Sequence, residues 1–233
     1  MKTKAPRLRG FLFCKIYYMN LADFDRDLQL SAGPAALIVG VDEAGRGPLA
    51  GPVTAAACHI PPALYAHPAL QAVNDSKKLT PAKRAKIHAE LTKLPIIWCL
   101  GFASAAEIDR VNILQATFLA MRRALAKFNN QNIFALIDGN HKIPQIPQPQ
   151  RAVVDGDAKS LSIAAASILA KVARDNYMQT LHARQPQYGF DGHKGYGTQS
   201  HIDAIKLHGP CAEHRKTYAP VAEICFGLFR AAK

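Results

Sequence analysis

Apolar and polar positions along the chain follow two different periods. Leu37 to Val41 is a continuous short apolar run, and Pro52 to Ile60 is a second, mostly apolar one. Runs of this length bounded by turn residues read as buried strands, and the brief turn between them makes a hairpin. Ile96 to Ala103, Asn132 to Ile137 and Ala152 to Val154 supply three further strands. Helical spacing fills the gaps. Thr80-Pro81 opens a helix to about Leu94, basic on its outer side through Lys83, Arg84 and Lys86. From Ala105 to Phe128, Ile108, Val111, Leu114, Phe118, Met121, Leu125 and Phe128 recur at steps of three and four, one apolar stripe of core. Ser160 or Ser162 caps a long alanine-rich helix to about His182, with Ile168, Leu169, Val172 and Leu181 inward.

Two strands followed by alternating helix and strand predict an α/β fold around a mixed sheet. Residues 1–35 read as a loosely ordered basic leader ending in Ser31-Ala32-Gly33-Pro34, and Met19 is a candidate alternative start. Residues 36–184 form the core, and 185–233 a loop and small helical cap. Composition changes this picture in one respect. The formal charge is +12 and the isoelectric point about 9.6, which points to a polyanionic partner, nucleic acid before membrane. No apolar run approaches the roughly 20 residues that span a bilayer. Five cysteines, an odd number without C-x-x-C spacing, argue for a reducing, cytoplasmic compartment.

The candidate chemistry lies at strand ends. Asp42-Glu43, Asp138 and Asp157 each follow an apolar run and neighbour a glycine-containing turn. Adjacent strand ends lie about 5 Å apart, so these acids can converge. Carboxylates that close repel unless a cation neutralises them, and hard oxygen donors suit Mg²⁺ or Mn²⁺. Any one Asp-Gly pair alone is more simply a turn, as is Asp155. Gly45-Arg46-Gly47 lets backbone approach a ligand closely. Tyr196, between two glycines and beside Lys194, can stack on a nucleotide. Asp175 suits an ion pair with Lys171 four residues earlier. His208-x-x-Cys211-x-x-His214 lacks a second ligand pair and is not a zinc site. His193 and His201 flank the tyrosine loop, as packing or as tuning groups. Phe226-Gly227-Leu228-Phe229 reads as a terminal apolar helix, with weak docking on a replication clamp as the other reading.

Asp42-Glu43-Ala44-Gly45-Arg46-Gly47-Pro48-Leu49 resembles the opening signature of type 2 ribonuclease H, ribonuclease HII. Asp75 to Leu79 and Ala165 to Val172 are similar to further segments of that family, and the likeness runs from about residue 37 to 220. It implies a ribonuclease H-like fold, a central five-stranded mixed sheet flanked by helices with a C-terminal helical cap. It implies Asp42, Glu43, Asp138 and Asp157 as catalytic acids, the first three as metal ligands and Asp157 at a second ion. Gly45, Arg46 and Gly47 would read the ribose 2′-hydroxyl, the group that separates RNA from DNA. Tyr196 would stack on the next deoxyribose, and Ser76, Lys77 and Lys171 would meet phosphates, with Ser167 nearby. The expected activity is hydrolysis of RNA in RNA–DNA hybrids and cleavage 5′ of a ribonucleotide embedded in duplex DNA, by a monomer. The leader is longer than the family core requires. Two other readings compete. One is a different metal nuclease of the same fold, such as a junction resolvase or integrase. The other is a basic nucleic-acid-binding module without catalysis.

Overall fold

The computed structural model describes residues 20–33, 35–73 and 79–231, side chains excepted for Phe226 and 228–231. Five strands form one sheet: β1 (Leu37–Ala44), β2 (Val53–His59), β3 (Ile97–Ala103), β4 (Ile133–Asp138) and β5 (Gln150–Val153). Their order is β3-β2-β1-β4-β5. β1, β2 and β3 run antiparallel in succession, whereas β4 and β5 lie parallel to β1. The helices are α1 (Leu21–Ala32), α2 (Pro68–Gln71), α3 (Pro81–Leu91), α4 (Ala105–Leu125), α5 (Leu161–Arg184), α6 (Phe190–His193), α7 (Gln199–His208) and α8 (Ala219–Ala231). The expected mixed sheet and its five strands are all present, with ends shifted by one to three residues; β1 runs on through Asp42 and Glu43 to Ala44. No described helix is long and apolar enough to cross a membrane.

Alternation along β1 divides the core into two layers. Val39 and Val41 pack with Phe118, Met121 and Phe128 on the α4 side. On the other side Ile38 packs with Ile163, and Gly40 lies against α5. A Cβ at Gly40 would overlap the backbone of Ser162 and Ile163. β1 and α5 therefore touch main chain to main chain, an approach only glycine permits. Alanines at 164, 165, 166 and 170 keep α5 thin along this contact.

Three expectations change. Residues 21–32, assigned to a loose leader, form a helix whose Phe24 enters the core and whose Asp25 is fully buried. Asp25 accepts hydrogen bonds from the Ser160 hydroxyl (2.6 Å) and the Ser162 amide (2.8 Å), and so caps the start of α5 from a distant part of the chain. Residues 1–19 lie outside the described residues. The stripe of α4 is broken at Asn112, whose φ of 67° and ψ of 165° interrupt the helix. Asparagine tolerates that geometry, and its side chain caps the next turn through the Gln115 amide at 3.1 Å. Val111 and Leu114 are consequently only partly buried. Arg84, expected on an outer face, is buried; it donates to the Leu79 carbonyl at 3.0 Å and lies 3.6 Å from Asp175. The helix containing Phe226 to Phe229 is present, but those side chains needed for a clamp contact lie outside the described ones.

Burial holds the Asp25 carboxyl up at about 6, against the hydrogen bonds from Ser160 and Ser162. A raised carboxyl favours folding most below its unfolded value, and that contribution is lost as pH rises through about 6. Replacing Asp25 with alanine leaves the α5 cap unsatisfied and should cost about 2–3 kcal/mol in urea denaturation. Asp25→Asn should lose less, and its deficit against the wild type should shrink as pH rises from mildly acidic to neutral.

Candidate active site

Parallel pairing of β1 with β4 aligns Val41 with Ile137, so Asp42 and Asp138 are the next residues on neighbouring strands. Such strands lie about 4.8 Å apart. Asp42 is 5% exposed. Its carboxyl is raised well above the ordinary range, first by burial and then by the charges of Glu43 and Asp138. Two hydrogen bonds oppose that rise, from the Ser167 side chain and the Glu43 amide (2.7 Å). Ser167 thus serves the acid directly, carried there by the close packing of α5 on β1. Asp138 accepts from the Gly156 amide at 2.7 Å, which ties the end of β4 to the short turn Gly156–Ala158. Asp157 is buried on that turn. Asp155, with a left-handed φ of 51°, is an exposed turn residue. Glu43 faces the α4 side, 3.4 Å from Arg46. There it lines a cleft with Asp138, Asn140, His141, Leu114 and Thr117.

Asp42, Glu43 and Asp138 therefore lie at one end of the sheet, with Asp157 on the turn hydrogen-bonded to Asp138. Among the described residues no three His, Cys, Asp or Glu side chains close into a ligand cage. An open rim of carboxylate oxygens fits Mg²⁺ or Mn²⁺, ions that retain waters and take substrate phosphate oxygens, better than zinc. The charges of Glu43 and Asp138 on the buried Asp42 are what a bound cation would offset.

The Gly45-Arg46-Gly47 turn follows directly. Gly45 has a φ of +93°, and a Cβ on it would overlap the Arg174 guanidinium. Two fully buried arginines grip this segment by its carbonyls. Arg215 donates to Gly45 (2.6 Å), Arg46 (2.7 Å) and Gly51 (2.9 Å). Arg174 donates to Ala50 (3.1 Å), Pro52 (3.2 Å) and, across the cleft, Lys194 (3.0 Å). Burial and the neighbouring Arg215 lower Arg174 to about 10, so both stay cationic at neutral pH. Tyr196 is 45% exposed. Its ring lies 6.0 Å from the Arg174 guanidinium and close to Gly47. The Leu49 amide donates to the Gly195 carbonyl at 2.8 Å, joining the two loops.

Lys171 lies one turn beyond Ser167 on α5 and pairs with Asp175 at 3.0 Å, as its spacing suggests. Ser76 and Lys77 lie outside the described residues. Arg174 and Arg215 were missed in the sequence reading. The available signal for Arg174 was its place between Ser167 and Met178 on the inward stripe of α5, where a lone cation needs a buried role. The cysteines at 58, 99, 211 and 225 are free thiols.

A mixed sheet with helices on both faces and acids at the paired ends of its two central parallel strands defines a metal-dependent nuclease of the ribonuclease H-like fold. The ribonuclease HII family model matches residues 39–220. The chain belongs to the ribonuclease HII family, and is a metal-dependent endoribonuclease acting on RNA–DNA hybrids. It is 50% identical over 191 residues to the ribonuclease HII of Delftia acidovorans, covering 82% of this chain and 79% of that one. The crystal structure of ribonuclease H2 from Pyrococcus horikoshii superposes with a TM-score of 0.65 at 25% identity, over 83% of this chain and 98% of that one. The Bst ribonuclease HIII, solved in complex with Mn²⁺, has the same fold, with a TM-score of 0.66 at 17% identity over 84% of this chain and 71% of its own.

Ser167→Ala removes a hydrogen bond that favours the ionised form of Asp42, so the Asp42 carboxyl should rise further. The acidic limb of the kcat/KM profile should then move to higher pH. Activity should fall more in mildly acidic than in alkaline buffer; an equal fall at every pH would show that Ser167 does not act through Asp42.

Proposed function

We propose that this enzyme cuts on the 5′ side of a ribonucleotide, both within RNA–DNA hybrids and singly embedded in duplex DNA. The observation that best supports this reading is the joining of the acid cluster to a backbone-exposing Gly-Arg-Gly turn lying under Tyr196. A site that needed only to cut phosphodiesters requires the acids alone. A sugar-sensing turn and an aromatic over it are needed when the 2′-hydroxyl decides the outcome.

Asp42, Glu43 and Asp138 hold the first divalent ion in this reading, and Asp157 helps hold a second. Two such ions supply activation of the attacking water and stabilisation of the leaving oxygen. The bond broken is the one from phosphorus to the upstream 3′-oxygen. That oxygen leaves as a 3′-hydroxyl, and the phosphate stays on the ribonucleotide as a 5′-phosphate. Mg²⁺ and Mn²⁺ both suit the donor set.

The protein's own groups do the rest. Gly45, Arg46 and Gly47 bring main chain to the 2′-hydroxyl, where a hydrogen bond can distinguish ribose from deoxyribose. Tyr196 takes the next sugar on its face, which favours an RNA-to-DNA junction. Lys171, Lys77 and Ser76 position phosphates. The net charge of +12 draws the duplex in. The chain is taken to act as a monomer.

The test uses duplex DNA carrying one ribonucleotide beside an all-DNA duplex. With Mg²⁺ the wild type should cut only the first, and chelation should abolish cutting. Asp138→Asn should lower kcat on the order of a thousandfold. Tyr196→Ala should lower kcat/KM about tenfold. Equal cutting of both duplexes would reject sugar sensing, and tight binding without metal-dependent cutting would favour a non-catalytic binding module.

A further inference from the structure

Behind Tyr196 lies a cluster of imidazoles that the reaction does not use. His201 and His214 are both buried, at 0% and 1% exposure. Their Nε2 atoms lie 3.0 Å apart. His193 stacks on His201 with ring centroids 4.2 Å apart. Phe190 and Tyr188 enclose the group.

The partners on the outer nitrogens fix every proton. His201 Nδ1 faces the Tyr196 carbonyl at 2.9 Å, and a carbonyl only accepts, so His201 carries its proton on Nδ1. Its Nε2 is then an acceptor, and His214 must donate from Nε2. That leaves His214 Nδ1 as acceptor, where it receives the Cys211 amide (2.9 Å) and thiol (3.1 Å). The chain of donors runs one way, from Cys211 through His214 and His201 to the Tyr196 carbonyl. His193 obeys the same logic, donating from Nε2 to the Tyr188 carbonyl (2.7 Å) and accepting the Gly195 amide on Nδ1 (3.1 Å). An added proton on His201 would set its Nε2–H against that of His214 and break the central link, and one on His214 would set its Nδ1–H against the Cys211 amide and break the link behind it.

The two ends of this chain reach the two halves of the sugar-reading site. His201 holds the loop carrying Tyr196. His214 precedes Arg215, which grips Gly45 and Arg46, and pairs in an isolated bridge with Ala50. We propose that the His201–His214 hydrogen bond is a positioning device that sets Tyr196 at a fixed height over the Gly-Arg-Gly turn, and thereby tunes selectivity for a ribonucleotide followed by a deoxyribonucleotide. The inference rests on the sugar-reading role given to Tyr196. Among the described residues the titratable groups that face the pair are His193, Cys211 and the Tyr188 phenol, and none is a carboxylate that would support an imidazolium there. Burial is the largest cause holding both His201 and His214 down at about 4, so the link is intact at neutral pH.

The test compares His214→Phe, which keeps a ring without its hydrogen bonds, with His214→Gln, whose amide can still donate toward His201. The readout is kcat and KM with Mg²⁺ on single-ribonucleotide duplex and on all-RNA hybrid. His214→Phe should lower the ratio of kcat/KM between these substrates about tenfold, chiefly through KM, and His214→Gln should restore most of it. Tyr196→Ala should lower the same ratio, and adding His214→Phe to it should lower it no further. If Tyr196→Ala leaves the ratio alone, the reading of Tyr196 fails. If Tyr196→Ala shifts it and His214→Phe does not, or the two losses multiply, only the positioning inference fails. Nitrogen-15 spectra of the wild type cover a variant that does not fold. They should show His201 protonated on Nδ1 and His214 on Nε2, both neutral in mildly acidic buffer, and the opposite tautomers or an imidazolium there would overturn the proposal.

Discussion

The molecule is arranged around a repulsion. Asp42 and Asp138 occupy aligned positions on adjacent parallel strands, Glu43 is next in sequence, and the first of these carboxyls is buried. Left to themselves such groups would separate or take up protons. Here they cannot separate, because the hydrogen-bond ladder between β1 and β4 sets their spacing. The Gly156 amide and the hydrogen bonds to Asp42 hold oxygens in place. The strain is of the kind that a divalent ion would relieve without movement. A cation bound there would stabilise an arrangement that the sheet has already imposed.

Much of the fold serves that spacing. α5 meets β1 at Gly40 without intervening side chains, and this contact delivers Ser167 to Asp42. α1 secures the start of α5 through Asp25, at the cost of burying a carboxylate that burial makes reluctant to ionise. That cost is tolerated because a helix start left uncapped inside the protein would leave amides with no partner. The helix that carries Ser167 to the acids is therefore braced by a residue 135 positions from its cap in sequence.

The acids were legible in the sequence because each belongs to a local pattern, an apolar run ending in a carboxylate beside a turn. The strands were legible for the same reason. What escaped notice depends on contacts between distant segments. α1 has helical residues, but a basic, proline-containing stretch before it obscured the Phe24 and Asp25 that dock it. The break at Asn112 was hidden because apolar steps of three and four continue across it. Nothing local in the sequence singles out Arg215 from the other basic residues, and Arg174 is marked only by its place on the inward stripe of α5. Their burial follows from carbonyls turned inward by Gly45 and its neighbours, which no periodicity records. The histidines were noted as flanking residues, yet the direction of their hydrogen bonds depends on which carbonyl lies opposite which nitrogen.

Two kinds of rigidity meet at this edge. The carboxylates are fixed by sheet pairing, which admits little adjustment. The Gly-Arg-Gly turn and the Tyr196 loop have no such lattice, and their carbonyls are gathered instead by guanidinium groups and imidazoles. A buried arginine without a carboxylate hydrogen-bond partner is costly, and here Arg215 stands close enough to lower Arg174 further. The cost is consistent with function. Carboxylate partners would have neutralised the positive charge beside the turn, whereas carbonyl partners take most of the donors, Arg174 Nη1 excepted, and leave that charge in place. A strand-fixed acid cluster and an arginine-held pair of loops thus adjoin at one end of the sheet.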